Sequence, residues 1–303
     1  MRKILLTGKN GQVGWELQRT LAPLGEVVAV NRQEMDLVDP DSIRKIIREI
    51  RPGLIVNAAA YTAVDKAESE PDLAMVINGV APGIMAEEAK RLNIAIVHYS
   101  TDYVFDGSKK NFYSEDDTPN PLNVYGKTKL AGEQAIQAVG VPHLILRTSW
   151  VYGARGKNFL LTILRLARER SELKIVDDQI GAPTWSRMLA EVTAQMLTQV
   201  YSPVSRASVS IADISDLYHV VSSGLTSWHG FAQKILEIVS SRTAHAVPKL
   251  IPIPTAEYPA PARRPSNSGM SNEKLKHICG LVIPAWEESL LLCMDDVVSI
   301  AAA

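Results

Sequence analysis

The sequence has little cysteine, almost no net charge and no long apolar run, and each shortage excludes a class of protein. Its 303 residues include two cysteines, Cys279 and Cys293, which fit neither a disulfide framework nor a zinc site. The 32 basic and 33 acidic residues create no overall field that would favour nucleic acid or an anionic membrane. No run approaches the roughly 20 apolar residues of a membrane span, and the N-terminal run is too short for a signal peptide. We therefore expect a cytoplasmic protein without nucleic-acid or membrane partners.

The first half of the chain alternates short β-rich runs with helical patterns, which is typical of βαβ units and a parallel sheet. The predicted strands are residues 3–7, 27–31, 54–57, 94–100, 143–147, 173–176 and 217–222. The predicted helices are residues 12–21, 40–50, 73–92, 125–138, 158–170, 188–199 and 228–240. A proline-rich stretch over residues 248–265 is interpreted as an ordered loop over a cleft, since proline suits neither a helix interior nor a central strand. The predicted fold is α/β, a Rossmann-like doubly wound parallel sheet with a smaller C-terminal lobe.

A glycine-rich turn follows the first predicted strand. Gly8, Gly11 and Gly14 let the backbone turn sharply and approach a pyrophosphate, while the next helix points its free N–H groups at the anion. A tight turn in some other α/β fold is the alternative, although an ordinary strand–helix loop does not require three glycines. The position of the turn favours a dinucleotide cofactor bound by residues 1–150. Residues 151–303 would then form mainly a substrate-binding lobe, with some segments returning to the first domain.

The end of the second predicted strand bears on the choice of cofactor. Asn31 and Arg32 stand where many dinucleotide sites have an acidic residue that binds the adenosine ribose. Because arginine neutralises a 2′-phosphate well, we hypothesise that NADPH is tolerated and even preferred over NADH. Asp36, followed by Leu37, can place a carboxylate near the adenine, but a capping or solvated loop carboxylate explains Asp36 equally well.

Three side chains are candidates for catalysis. Thr101 ends the fourth predicted strand, and Tyr125 and Lys129 stand four residues apart, so both lie on one face of the following helix. Tyrosine is a poor acid–base group at neutral pH, and a nearby ammonium lowers its pKa. A threonine hydroxyl can donate to the same substrate carbonyl. A Tyr-x-x-x-Lys pair alone is common. In this sequence the Tyr-x-x-x-Lys pair comes after the glycine turn, an Asn-Ala-Ala-Ala strand end and a Ser-Thr-Asp strand end. These four features together are expected to serve one nicotinamide site.

Further candidates lie on the substrate side. Trp150 follows a predicted strand and is expected to line the cleft, with a core or surface position as the alternative. Arg263 and Arg264 lie in the proline-rich stretch, where their forked donors suit a diphosphate, unless they are simply solvated. His98 lies on a predicted buried strand and is interpreted as a core histidine.

Taken together, these motifs resemble the extended short-chain dehydrogenase/reductases and, within them, the dTDP-4-dehydrorhamnose reductase family. The resemblance covers nearly the whole chain. It is carried by TGKNGQVGWEL (7–17), VNAAAYTAVDKAE (56–68), HYSTDYVFDG (98–107), PLNVYGKTKLAGE (121–133), RTSWVY (147–152), DQIGAPT (178–184) and RPSNS (264–268).

The resemblance implies that NAD(P)H delivers hydride to C4 of dTDP-4-dehydro-L-rhamnose and gives dTDP-L-rhamnose for cell-surface polysaccharide. It implies that Tyr125 is the proton donor, that Lys129 holds the nicotinamide ribose and that Thr101 binds the substrate oxygen. The implied pyrophosphate contacts are Gly11, Gln12 and Val13, the residues flanking the cofactor are Ala60, Tyr61 and Thr62, and those facing the sugar nucleotide are Asp102 and Trp150.

One departure from the family concerns a metal. Some members dimerise through a magnesium ion held by glutamates, and Glu16 with Glu287 or Glu288 correspond to such ligands. Arg187 occupies the third position, and a cation there repels a metal. We therefore expect no metal site, and a monomer or a homodimer that no metal bridges.

Two other functions remain open from the residues alone. One is a nucleotide-sugar epimerase or dehydratase, which usually keeps NAD bound and uses further acid–base residues beside the Ser-Thr-Asp strand end. Here Tyr103 follows Asp102, and no Asp-Glu pair follows Thr101. The other is a non-catalytic regulatory subunit of the same fold, as in the regulatory subunit of methionine adenosyltransferase. An intact Tyr125 and Lys129 argue against the second.

Overall fold

The computed structural model of the chain describes residues 2–201, 210–242 and 247–302. Its strands are β1 Lys3–Thr7, β2 Glu26–Val30, β3 Leu54–Asn57, β4 Ala95–Thr101, β5 His143–Thr148, β6 Val151–Tyr152, β7 Glu172–Val176, β8 Ile180–Gly181, β9 Thr184–Trp185, β10 Asp216–His219, β11 Thr226–Ser227 and β12 Lys249–Ile253. Its α-helices are α1 Gln12–Thr20, α2 Pro40–Ile50, α3 Val64–Ala67, α4 Pro71–Met75, α5 Ala81–Leu92, α6 Val124–Val139, α7 Phe159–Glu169, α8 Ser186–Tyr201, α9 Trp228–Arg242, α10 Glu273–Cys279 and α11 Trp286–Ala302.

Six parallel strands form the central sheet, in the order β10-β5-β4-β3-β1-β2. The predicted α/β fold with a doubly wound parallel sheet is therefore confirmed. The chain leaves β1 towards β2 on one side and then returns to β3 on the other. The carboxyl ends of β1 and β3 thus flank the point where the winding reverses, which is where open α/β sheets bind ligands. The glycine turn after β1 lies at this point.

The sheet is buried on both faces, which explains why β3 and β4 contain no exposed residue. Alternate residues along each strand face opposite layers. One layer packs Leu6 and Val97 against α1 and α8, and the other packs Leu5 and Ile96 against α2 and α5. These two layers hold the strand ends in fixed positions, so the loops that follow them can present side chains to one cleft.

The long helix predicted over residues 73–92 is a continuous helical stretch with one wide π turn, Val76–Val80, between α4 and α5. Pro82 explains the turn, because it has no N–H to offer the carbonyl of Asn78 four residues earlier. At the same place α6 crosses closely: a Cβ on Gly132 would lie 2.1 Å from the Asn78 carbonyl oxygen. The irregular turn therefore lies directly against the helix that carries Tyr125 and Lys129.

The later part of the chain builds a second core around Tyr152, Trp185, Phe231 and Trp286. Three pairs of strands join it, β6 with β9, β8 with β11 and β7 with β12, while β10 returns to the central sheet. The loop prediction for residues 248–265 is wrong at its start, where β12 pairs in parallel with β7 and includes Pro252. Proline is tolerated there because a two-stranded sheet leaves one edge of each strand unpaired. In the part of the chain described above, no helix is both long and apolar enough to cross a membrane.

Candidate active site

One cavity of about 930 Å³ runs along the carboxyl ends of the central strands. It brings together most of the side chains predicted from the sequence: Gly8, Gly11, Gln12, Val13, Asn31, Arg32, Asp36, Leu37, Ala60, Tyr61, Thr62, Thr101, Asp102, Tyr125, Lys129 and Trp150. Three predicted residues, Gly14, Arg263 and Arg264, do not line it. Other residues that line the cavity were not predicted from the sequence to be site residues, among them Asn10, Ser100, Thr148 and Lys157.

The glycine turn has the backbone geometry that a pyrophosphate needs. Gly8 has a φ of 74°, and a Cβ there would lie 2.9 Å from the backbone nitrogen of Ala59. A Cβ on Gly14 would lie 2.1 Å from the carbonyl oxygen of Gly8, so Gly14 serves close packing of α1 rather than the cavity wall. Gly11 precedes α1 without any side-chain cap, which leaves the first N–H groups of the helix directed at the cavity. These features fit a dinucleotide phosphate.

The turn after β2 lines one end of the cavity, where the sequence predicted the adenosine of the cofactor to bind. The Asn31 side-chain oxygen accepts a hydrogen bond from the backbone N–H of Gln33 at 2.9 Å and so holds the turn. The Arg32 side chain is 75% exposed and lies 3.6 Å from Asp36, while Lys9 pairs with Glu34 at 2.6 Å. A guanidinium stands at the cavity wall where the sequence predicted one, and the carboxylate of Asp36 accompanies it.

The loop after β3 is fixed by a residue that sequence reasoning missed. The Asn78 side chain in the π turn accepts from the backbone N–H of Tyr61 at 2.8 Å and donates to the Tyr61 carbonyl at 3.0 Å. It also donates to Thr128 on α6 at 3.2 Å. Tyr61 in turn donates its hydroxyl to Glu70 at 2.7 Å. Asn78 thus ties the loop after β3 to α6. No sequence motif marks Asn78 for this role, which is visible only in its packing against Gly132 of α6.

The three predicted catalytic residues converge as expected. Thr101 ends β4. The helix α6 begins at Val124 because the Asn123 side chain caps it by accepting from the Gly126 N–H at 2.8 Å. Tyr125, at the second position of α6, lies near enough to Thr101 for that hydroxyl to influence its pKa. The Thr101 hydroxyl itself donates to the Asp102 carboxylate at 2.9 Å. Its ring meets the ring of Tyr103 edge to face, with centroids 5.6 Å apart. This arrangement leaves a phenol and a hydroxyl beside each other at the cavity wall.

Burial dominates the electrostatics of the site. It raises the pKa of Tyr125 to about 12, against the lowering effect of the nearby Thr101 hydroxyl. It lowers the pKa of Lys129 to about 8, against the attraction of Glu133. It also raises the pKa of Asp102 to about 6. The direction for Tyr125 is opposite to the one expected from a nearby ammonium, because loss of hydration is the largest influence on its pKa and the Asp102 carboxylate adds to the rise. Tyr125 is therefore a protonated phenol at neutral pH.

Lys129 is buried with a chain of polar side chains. Its ammonium nitrogen Nζ donates to the carbonyl of Tyr99 at 2.5 Å and lies 3.1 Å from Nε2 of His98. The other ring nitrogen of His98, Nδ1, lies 3.0 Å from the Asn57 amide nitrogen, and Asn57 accepts from the Thr7 hydroxyl at 2.6 Å. His98 is fully buried, as a core histidine should be, and its pKa lies well below the ordinary value because of burial and then Lys129.

Trp150 lines the cavity, where the sequence predicted it to face the substrate. Its backbone adopts a φ of 47°, which is unusual for a residue other than glycine. Its ring stacks on Trp228 with centroids 3.6 Å apart and an angle of 6° between the planes. The indole N–H of Trp228 donates to Gln179 at 3.2 Å. Gly181 leaves the necessary room, since a Cβ there would lie 2.6 Å from the Trp150 ring. Trp228 does not itself line the cavity, and the sequence did not indicate it as a support of Trp150.

The two arginines of the proline-rich stretch have other partners. The Arg264 guanidinium pairs with Asp65 at 2.8 Å and donates to the Ala262 carbonyl at 3.2 Å. The backbone carbonyl of Arg263 accepts from the Asn123 side chain at 2.8 Å. Both residues thus border the catalytic loops, and their contact with a substrate diphosphate stays a prediction.

Arg187, which stands where some family members have a metal ligand, lies among carboxylates. Arg187 is 3.0 Å from Glu191 and 3.7 Å from Asp296. Burial raises the pKa of Glu16, and Arg187 opposes that rise. Within residues 2–201, 210–242 and 247–302, no group of three or more His, Cys, Asp or Glu side chains is placed to hold a metal ion.

Comparison with known proteins gives a consistent result. Residues 1–299 match the family described as RmlD substrate binding domain. A dTDP-4-dehydrorhamnose reductase of Burkholderia thailandensis is 51% identical over 98% of this chain and 99% of its own length. The reductase of Escherichia coli K12 is 45% identical over 99% of both chains.

Solved structures agree with the sequence relatives. A dTDP-4-dehydrorhamnose reductase from Bacillus anthracis, solved in complex with NADP, superposes with a TM-score of 0.86 at 34% identity, over 97% of this chain and 99% of that one. A UDP-glucose 4-epimerase from Thermus thermophilus, at 19% identity over 91% of this chain and 92% of that one, has a TM-score of 0.74 and shows a shared fold only. The chain belongs to the RmlD substrate binding domain family, that of the dTDP-4-dehydrorhamnose reductases, which are NAD(P)H-dependent oxidoreductases.

Proposed function

We propose that this chain reduces the C4 ketone of dTDP-4-dehydro-L-rhamnose to give dTDP-L-rhamnose, a precursor of cell-surface polysaccharide. The observation that carries the proposal is that Tyr125 and Thr101 line the same cavity as the phosphate turn and Trp150. A nicotinamide cofactor bound there supplies the hydride. The free N–H groups of α1 after Gly11 hold its diphosphate.

Tyr125 supplies the proton in this proposal. Its partly buried phenol keeps its proton at neutral pH, as a general acid must before the substrate oxygen becomes negative. The Thr101 hydroxyl, which donates to Asp102 in the absence of substrate, would turn to donate to the same oxygen and so stabilise the developing charge. Asp102, next to Thr101 and buried, adds a polar group on the sugar side of the cavity. Lys129 lines the cavity below Tyr125, where its amine can bind the cofactor ribose.

The test supplies dTDP-4-dehydro-L-rhamnose with NADPH or NADH, follows the loss of reduced cofactor and identifies the sugar product. Tyr125→Phe should lower kcat by roughly 100- to 10,000-fold, the usual contribution of a general acid. The matched control is Tyr218→Phe, which removes another buried tyrosine hydroxyl, bonded to the Ile214 carbonyl at 2.8 Å far from the cavity. Equal turnover of Tyr125→Phe and wild type would refute the mechanism. Purified protein with tightly bound, non-exchanging NAD would instead favour an epimerase.

A further inference from the structure

The loop between β6 and α7, residues 153–158, lies beside the phosphate turn. Two of its residues, Gly156 and Lys157, line the cavity together with Gly11 and Gln12. The function proposed above assigns the diphosphate of the cofactor to the N–H groups of α1 and gives this loop no part. The loop is nevertheless placed to contact whatever ligand the phosphate turn binds.

Gln12, the first residue of α1, holds the loop in place. Its side-chain oxygen accepts from the Asn158 amide at 2.8 Å, and its own amide donates to the Val151 carbonyl at 3.4 Å. Gly156 packs against the same side chain, since a Cβ on Gly156 would lie 3.4 Å from Cγ of Gln12. Gly156 also has a φ of 77°, a backbone conformation that favours glycine. The residues on both sides of Lys157 are therefore fixed against the start of α1.

Two further sets of contacts hold the loop. The Asn158 amide also donates to the carbonyls of Gly153 at 2.9 Å and Arg155 at 3.1 Å. The side-chain oxygen of Asn158 caps α7 by accepting from its third N–H at 3.0 Å. The Arg155 guanidinium lies over the Trp15 ring of α1, 4.4 Å from the ring centroid. The helix α1 thus holds the loop a second time, which keeps Lys157 next to the first turn of the helix.

The charge of Lys157 is available to a ligand. Its side chain is exposed, and in the part of the chain that the structure describes no carboxylate pairs with its amine. The other cations among the described residues that line the cavity are Arg32, which lies 3.6 Å from Asp36, and Lys129, which is buried. Lys157 is therefore the free positive charge nearest in the chain to a bound diphosphate at the start of α1.

We propose that Lys157 is a cofactor-binding residue, whose ammonium neutralises the diphosphate that the N–H groups of α1 hold. The inference deepens the cofactor site of the proposed function and rests on it. Lysine suits this task, since its compact charge on a flexible stem pairs with a phosphate as a point charge. The contacts of the loop with Gln12 favour the diphosphate of the cofactor over that of a nucleotide sugar.

This role differs from the one predicted for Arg32. The diphosphate is common to NADPH and NADH, so Lys157 contributes equally to the binding of both cofactors. The predicted role of Arg32 concerns the 2′-phosphate, which NADPH alone carries. The two cations can therefore be separated by comparing the two cofactors.

The experiment is a fluorescence titration of the full chain with NADPH and with NADH, in the absence of sugar nucleotide. Lys157→Met keeps an apolar stem of similar length and removes the charge. We expect the Kd for both cofactors to rise by the same factor, roughly 5-fold, which corresponds to about 1 kcal/mol for an exposed charge pair. Lys157→Glu should raise both Kd values roughly 25-fold, and Lys157→Arg should keep most of the affinity. Higher ionic strength should shrink these differences.

Lys174→Met is the matched control, because Lys174 is an exposed lysine of β7 that does not line the cavity. It changes the net charge equally and should leave both Kd values unchanged. Wild-type Kd values in Lys157→Met and Lys157→Glu would overturn the inference, and so would a rise for NADPH alone. A higher KM for the sugar nucleotide with unchanged cofactor Kd values would also overturn it, and would assign Lys157 to the diphosphate of the substrate.

Failure of the proposed function has a different signature. Cofactor binding is measured without substrate, so it does not depend on which sugar the protein reduces. A wild-type protein that binds both cofactors but does not reduce dTDP-4-dehydro-L-rhamnose would refute the reaction and leave the titration of Lys157→Met to decide the role of Lys157.

Discussion

Replacing Arg32 by alanine should weaken NADPH binding and leave NADH binding almost unchanged. The only chemical difference between the two cofactors is the 2′-phosphate, which carries about −1.5 to −2 charges. Arg32 stands at the adenosine end of the cavity, and its side chain is 75% exposed, so a water-like dielectric applies. A pair of unit charges about 4 Å apart then contributes about 1 kcal/mol, and the phosphate contributes up to about 2 kcal/mol.

Asp36 reduces this figure, because its carboxylate lies 3.6 Å from the Arg32 guanidinium and repels the same phosphate. A net value of about 1–2 kcal/mol corresponds to a roughly 5- to 30-fold rise in the Kd for NADPH. The assay is a fluorescence titration of both cofactors at two salt concentrations, since screening should shrink the difference. Arg32→Lys keeps the charge and should retain most of the NADPH affinity. Equal weakening of NADPH and NADH in Arg32→Ala would refute the assignment of Arg32 to the 2′-phosphate.

Three further predictions concern the support of the site. Glu133→Gln leaves the buried Arg147 guanidinium without its counter-ion, so unfolding should become easier by about 3–5 kcal/mol, or roughly 10 °C in a thermal melt; an unchanged Tm would contradict this. Gly132→Ala places a Cβ 2.1 Å from the Asn78 carbonyl and should lower both Tm and cofactor affinity. A titration that finds the wild-type cofactor affinity in this variant would contradict the prediction. Because Arg187 stands among the carboxylates, size-exclusion chromatography should show the same oligomer with and without EDTA; an EDTA-sensitive dimer would prove this wrong.

The central sheet could be predicted because each of its strands carries a local signal. β1, β3 and β4 are short apolar runs, each followed by a loop with small or polar residues. Strands of two residues, such as β6 and β9, are too short to show any periodicity, and only their pairing identifies them. β12 was missed for a different reason, since Pro252 argues against a central strand but not against an edge.

The placement of Thr101, Tyr125 and Lys129 in one cavity could be predicted because they follow a strand end or share one helix face. Their supports were not, because each depends on contacts between distant parts of the chain. Asn78 reaches back 17 residues to Tyr61, and Arg264 is 199 residues from its partner Asp65. No period or motif encodes such pairs. They follow only from the packing of α6 on the π turn and of the proline-rich stretch on the loop after β3.

Trp228 offers a test of how such a support acts on the substrate. It stacks on Trp150, whose left-handed backbone costs on the order of 1 kcal/mol and persists only where its surroundings hold it. Trp228→Leu keeps an apolar side chain but removes the stack, whose geometry contributes about 0.5–1.5 kcal/mol. The KM for the sugar nucleotide should rise roughly 2- to 13-fold, with a smaller change in kcat and no change in the Kd for NADPH.

Trp228→Phe is the matched control for this change, because a smaller aromatic ring can still stack on Trp150 and should restore part of the lost affinity. Steady-state kinetics with varied sugar nucleotide, together with cofactor titration, separates the two ends of the cavity. If Trp228→Leu weakens cofactor and substrate alike, the stack supports the fold as a whole. If it changes neither, the conformation of Trp150 is set by Gly181 and the β6–β9 pair alone, and Trp228 has no part in substrate binding.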